Sequence, residues 1–215
     1  EVATIQNISD SVSQIAIQGP LAKNIITSFI DINCLPQKNY YFADIVIDDI
    51  NCIISTTGYT GESGYELYTD NQNAEGLYRL LLQKGAAYGI EPIGLGARDT
   101  LRFESSMPLY GHELTKQTKA NEVGLDFFIK LDENFIGRDY ILNNPPKYER
   151  RGLKLLDRGI AREHCDVYNT KGDLIGHTTS GGHCPTLGGA YAMARIIKGV
   201  LDNEVFIDVR GRRLK

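Results

Sequence analysis

Cys52-Ile-Ile-Ser-Thr-Thr-Gly-Tyr-Thr-Gly-Glu-Ser-Gly-Tyr-Glu-Leu-Tyr68 reads as two short β-rich runs joined by a glycine-rich connection. Residues 52–57 favour a strand, and Tyr65-Glu-Leu-Tyr68 alternates apolar and polar positions, as a half-buried strand does. Glycines stand at 58, 61 and 64, three apart. The stretch lacks the Gly-Lys-Ser/Thr ending of a phosphate-binding loop and is no dinucleotide fingerprint. By spacing alone it is a hairpin connection. It nevertheless sets Tyr59 and Glu66 on or beside β structure. Glycine lets a backbone approach a flat ligand closely. A carboxylate at such a surface can accept two parallel N–H bonds from an amino-pyrimidinone edge, the bidentate pairing of arginine and carboxylate with the roles reversed.

Outward from this hairpin, residues 2–9 and 14–18 read as strands, the second stopped by Gly19-Pro20. Helical spacing follows over 21–29, and 41–48 alternates as a strand. Residues 73–88 form the clearest helix: Leu77, Leu80, Leu81 and Ala87 make a stripe that Gly89 ends. Residues 95–104 predict another. The order suggests an α+β layer. Asn143-Asn144-Pro145-Pro146 is a linker signal. Beyond it, short β-rich runs at 152–156, 173–178, 190–197 and 204–209 predict a small β-barrel, with 178–187 as a loop between strands. The expected organisation is an α+β domain over 1–142, a linker at 143–149 and a β-barrel domain over 150–215.

Composition narrows the function classes. The 215 residues are 42% hydrophobic and 23% charged, with net charge −4 and pI about 5.6. That is an ordinary globular balance, with no basic stripe for nucleic acid. The only dense basic run, Arg210, Arg212, Arg213 and Lys215, reads as a solvated terminus. No apolar run nears the ~18 residues of a membrane span. The chain begins with Glu, which fits a piece of a longer protein. Cys34, Cys52, Cys165 and Cys184 lie far apart, which argues against a disulfide framework and for a reducing compartment. His164-Cys165 and His183-Cys184 have poor spacing for zinc, and no metal is expected. The Asn7-Ile-Ser9 sequon reads as idle.

A second dense stretch is Gly94-Leu-Gly-Ala-Arg-Asp-Thr-Leu-Arg-Phe-Glu104. Arg98 and Arg102 are four apart and share one helix face. They read equally well as ordinary ion-pairing residues or as guanidinium ligands of an anionic group.

Together with Ile17-Gln-Gly-Pro20, Met107-Pro-Leu-Tyr-Gly-His-Glu113, Phe135-Ile-Gly-Arg138 and Thr179-Ser-Gly…Pro185-Thr-Leu187, these stretches resemble the glycine cleavage T-protein family, nearly end to end. The departures are Thr56, where the family usually has Arg, and His183-Cys184, where it has an aromatic and Ser. The resemblance implies a three-domain ring around tetrahydrofolate. It implies a lipoylated H-protein that brings an aminomethyl group, with ammonia released and 5,10-methylenetetrahydrofolate formed. Glu66 would hold the pterin edge, Tyr59 would line the folate site, and Arg98 would meet the anionic tail or a nearby polar group; since the two arginines share one face, Arg102 is expected to serve structure. The family's catalytic aspartate would lie upstream of residue 1. The implied location is the cytoplasm in a bacterium or the mitochondrial matrix in a eukaryote. Two alternatives stand beside the enzyme: a folate-binding scaffold, and the folate domain of a dimethylglycine- or sarcosine-oxidising enzyme.

Overall fold

The computed structural model describes residues 3–200 and 202–215. The chain divides into two compact units, Glu1–Leu101 and Arg102–Lys215.

The first unit is an antiparallel sheet with helices on one face. Its strands are β1 (Val12–Gln18), β2 (Phe42–Ile47), β3 (Ile50–Ser55) and β4 (Gly64–Asp70), in the order β1-β4-β3-β2. Helix α1 (Ala22–Thr27) follows β1 and α2 (Asn71–Gly85) follows β4. Alternation fixes which face is covered. Ile17, Ile45, Ile47, Cys52, Ile54, Tyr65 and Leu67 are buried with Ile25 and Ile26 of α1 and Leu77 and Leu81 of α2. Glu66 and Tyr68 occupy the intervening positions of β4 and so belong to the opposite face. The β2–β3 turn is two residues long, and both Asp48 and Asp49 have positive φ, the backbone of a tight primed hairpin turn. α2 passes into a 3₁₀ turn that ends on Gly89 at φ 73°, the left-handed stop expected of that glycine. Helix α3 (Leu95–Glu104) has the expected bounds, and the unit boundary falls within it.

The second unit carries the short helix α4 (Arg138–Asn143), then β5 (Tyr148–Lys154), β6 (Asp166–Tyr168), β7 (Leu174–Cys184), β8 (Gly189–Ile197), β9 (Phe206–Val209) and β10 (Arg212–Leu214). All six strands join one antiparallel sheet, ordered β10-β9-β6-β7-β8-β5. Leu155, Val167, Ile175, Ile196, Ile207 and Leu214 form its core. The ladder is open between β5 and β10. The backbone nevertheless meets just past both strands, where Leu156 N–H donates to the Lys215 carbonyl at 2.7 Å. This is the architecture of a curled, barrel-like sheet.

Several sequence expectations change. Residues 3–8 form no strand, Ser9 opens a 3₁₀ turn, and residue 2 of that run lies outside the described residues. The 178–187 stretch is not a loop: β7 continues through Cys184, because its Thr, Ser and Gly residues pair with β8. The basic end is not a loose tail either. It forms β10, where Arg213 lies 4.2 Å from the Tyr168 ring and Leu214 is buried. Within 143–149, β5 already begins at Tyr148, and Lys119 Nζ donates to the carbonyls of Asn144 and Pro145 at 2.9 Å each.

Candidate functional site

The residues expected to bind ligand lie in two groups within the first unit. Glu66 faces away from the core of β4, opposite Ala16 of β1 and Ser55 of β3. Its Oε2 accepts hydrogen bonds from the Thr57 hydroxyl and, at 3.3 Å, from the Tyr68 hydroxyl. Thr57 and Ser55 share a further hydrogen bond of 2.6 Å. Among the described residues, Oε1 accepts none. Burial pushes the Tyr68 phenol above its ordinary value, and the charge and hydrogen bond of Glu66 push the same way, so Tyr68 stays a donor at neutral pH.

The second group is Tyr59 and Arg98. The Arg98 guanidinium carbon lies 5.1 Å from the Tyr59 ring centroid, within cation–π range. Tyr59 is half-buried and Arg98 exposed. The loop from Thr57 to Tyr59 links this pair to the carboxylate group. Ring, cation and carboxylate are therefore presented from one sheet face, one loop and one helix.

Two glycines of this connection make room for a side chain of the same unit. A Cβ at Gly58 would lie 2.0 Å from the Gln18 amide oxygen, and one at Gly64 would lie 2.6 Å from the Gln18 amide carbon. The close approach these two glycines permit is to the Gln18 side chain. Gln18 Nε2 donates to the carbonyls of Thr57 at 3.2 Å and Tyr65 at 3.1 Å, so one side chain holds both ends of the loop. Gln18 and Thr57 stand inside the quoted motifs, but their residue types point to no ligand role. Tyr68 could have been found from its place two residues after Glu66, on the same strand face.

In the second unit, Arg102 is 1% exposed. Its Nη1 donates to Glu113 Oε2 at 2.9 Å and to the Met107 carbonyl at 3.2 Å, and its Nη2 donates to Ser180 Oγ at 2.9 Å. Glu113 also accepts from Leu109 N–H at 2.9 Å and from Thr179 Oγ1 at 2.7 Å. The β7–β8 register shifts between Thr178 and Ser180, so Thr179 is the extra residue of a bulge. Burial pushes the Glu113 carboxyl up, but hydrogen bonds from Ser180, Leu109 and Thr179 and the Arg102 charge outweigh it, and the group sits below its ordinary value. Arg102 is thus committed to structure. Among the described residues, no three of His, Cys, Asp and Glu are grouped as metal ligands; Cys184 is buried beside Phe103 and Met193, and His164 Nε2 lies 4.0 Å from Glu163.

Residues 1–133 match the family described as the GCVT N-terminal domain, and residues 149–215 match the glycine cleavage T-protein C-terminal barrel domain. An aminomethyltransferase of Alkaliphilus oremlandii is 43% identical over 98% of this chain and 59% of its own length. One from Clostridium botulinum (strain Loch Maree) is 40% identical over the same shares. The crystal structure of glycine cleavage system aminomethyltransferase T from Bartonella henselae superposes with a TM-score of 0.79 and 27% identity, over 94% of this chain and 57% of that one. The chain therefore spans about three fifths of the relatives' length. On this agreement of sequence and fold, it belongs to the aminomethyltransferase family of glycine cleavage T-proteins.

Proposed function

We propose that this chain performs the folate-binding part of aminomethyl transfer. The one-carbon unit passes from the aminomethyl-lipoyl arm of H-protein to tetrahydrofolate, and ammonia is released. The observation that carries the reading is Glu66: a carboxylate on an otherwise half-apolar sheet face, with Oε2 held by two hydroxyls and Oε1 available. A carboxylate acceptor of this kind fits a pterin edge, which presents adjacent N–H donors. Bidentate pairing asks Thr57 or Tyr68 to share Oε2 with the ligand, or to yield it. Tyr59 offers a ring face, and Arg98 offers a charge to an anionic tail. When bound, tetrahydrofolate supplies the two nitrogens that accept the carbon.

The chain's own residues bind and orient. Thr57 and Tyr68 fix the Glu66 carboxylate, and Gln18 fixes the loop that bears Tyr59. Proton handling needs a positioned acid or base, which contributes typically ~10²–10⁴-fold. Glu113 is committed to Arg102, and Glu104 Oε1 accepts the Thr186 N–H at 2.9 Å. The family resemblance assigns this duty to an aspartate upstream of residue 1. We therefore expect the chain alone to turn over poorly. The test compares methylenetetrahydrofolate formation from aminomethylated H-protein by this chain and by one extended at its N-terminus. Equal turnover would place the chemistry within these residues and overturn the reading.

The two relatives named above are bacterial, which suits a cytoplasmic reaction. Among the described residues, no helix is long and apolar enough to cross a membrane.

A further inference from the structure

Glu66 shares its sheet face with a second titratable side chain, the Tyr68 phenol. The two are alternate residues of β4, and the register sets Gln14 of β1 opposite Tyr68 on one side and Ile53 of β3 on the other. The phenol is engaged both as donor and as acceptor. Its O–H donates to Glu66 Oε2 at 3.3 Å, and its oxygen accepts from Gln14 Nε2 at 3.3 Å. An O–H···O bond of 3.3 Å is longer than usual. The Thr57 hydroxyl donates to the same Oε2 and is braced in turn by Ser55 Oγ at 2.6 Å. Thr57 is therefore the firm holder of the carboxylate, and Tyr68 is the loose one.

A carboxylate oxygen offers about two acceptor sites, and the two hydroxyls fill those of Oε2. A ligand that pairs with both oxygens of Glu66 displaces one donor, and the longer bond yields. Tyr68 is half-buried, so its freed O–H needs a new acceptor. The chemistry of the ligand's edge decides whether it finds one. A 2-amino-4-oxo pteridine presents an amino N–H, a ring N–H and then the oxo oxygen, in that order along one edge. A 2,4-diamino ring presents an amino group where the oxo oxygen would be. Gln14 already occupies the acceptor side of the phenol. Burial, with the charge and hydrogen bond of Glu66, keeps the proton on it. Tyr68 is thus set to give a hydrogen bond rather than to take one, which suits an oxo group and not an amino group.

We propose that Tyr68 is a specificity residue of this site: as a pterin pairs with Glu66, the phenol turns from Oε2 to the 4-oxo oxygen and so favours a 2-amino-4-oxo ring over its 2,4-diamino counterpart. The proposal rests on the folate reading of Glu66. Calorimetry on the N-terminally extended chain compares tetrahydrofolate with its 4-amino analogue, tetrahydroaminopterin. The ratio of the two affinities is the readout, because the bond that Tyr68 gives up at Oε2 costs the same for both ligands. Tyr68→Phe keeps the ring and removes the O–H, and it narrows the ratio roughly threefold to tenfold. Gln14 is exposed, and Gln14→Leu uncovers the acceptor side of the phenol. This second variant narrows the ratio by strengthening the 4-amino analogue, with tetrahydrofolate binding kept. A ratio that Tyr68→Phe leaves unmoved overturns the proposal. Equal losses for both ligands make Tyr68 only a holder of the carboxylate, and no loss for either places it outside the site. If the wild-type chain binds neither compound, the folate reading falls and the proposal with it, so the two failures are told apart.

Discussion

Arg98 and Arg102 stand four residues apart on one helix, yet they lead different lives. Arg98 is exposed beside Tyr59 in the first unit. Arg102 is buried in the second, where it joins a carboxylate, a carbonyl and a hydroxyl. Helix geometry makes the two equivalent; the unit that each side chain enters does not. An arginine that meets a buried carboxylate is spent on holding the fold. One that, among the described residues, meets a ring face keeps donors for a ligand. The comparison also separates the two carboxylates. Glu113 is satisfied on both oxygens and Glu66 on one.

The largest expected effect tests the buried side of this contrast. Arg102→Met leaves Glu113 charged and buried without its partner, at a cost of about 3–5 kcal/mol. Urea unfolding measures it, and a loss below about 1 kcal/mol would mean that the pair does not hold the second unit. Next comes the open side. Glu66→Gln keeps the shape but turns an acceptor into a donor, and folate affinity should fall by about 1.5–3 kcal/mol, or roughly 10- to 150-fold. Calorimetry on an N-terminally extended chain reads this, and unchanged affinity removes Glu66 from the site.

A pH series sharpens the contrast further. The folded-state value of Glu113 lies below the ordinary 4.5, so its contribution is fully present above that value and is lost as pH falls from there through the folded value. Stability of the wild-type chain should therefore decline more steeply in this acid range than that of Glu113→Gln. Parallel curves would show that the carboxylate has no special partners. The smallest effect belongs to Arg98→Ala. A solvent-exposed guanidinium contributes about 0.2–1 kcal/mol to an ion pair, so folate binding should weaken by no more than about fivefold, with the melting temperature unchanged. A drop in melting temperature with intact binding would show that the two arginines have exchanged roles.

Much of the fold was legible from local pattern. The stripe over 73–88 gave α2, alternation gave β2 and β4, and the 95–104 helix has its expected bounds. Short strands were harder to read. β6 and β10 have three residues each, too few to show alternation, and they exist because β7 and β9 pair with them. β7 looked like a loop beyond Thr178 because Ser180, Gly181 and Gly182 are poor strand formers. A carbonyl of Ala161 and the backbone of Tyr191 crowd Gly181 so closely that no side chain fits there. The strand persists because its neighbours supply the hydrogen bonds.

By itself, then, the sequence determined the order of elements, the alternating face that carries Glu66, the loop that carries Tyr59 and the motifs that declare the family. These are local properties, written in periods of two or 3.6 residues and in short spacings. Only the tertiary structure decided that Gly58 and Gly64 make room for Gln18, that Thr57 and Tyr68 hold one oxygen of Glu66, and that Arg102 is enclosed. Ser180, which receives Arg102 Nη2, lies 78 residues away in the chain. No local pattern encodes such a distance. Packing does, because a buried charge is tolerated only where the fold brings its partners to it.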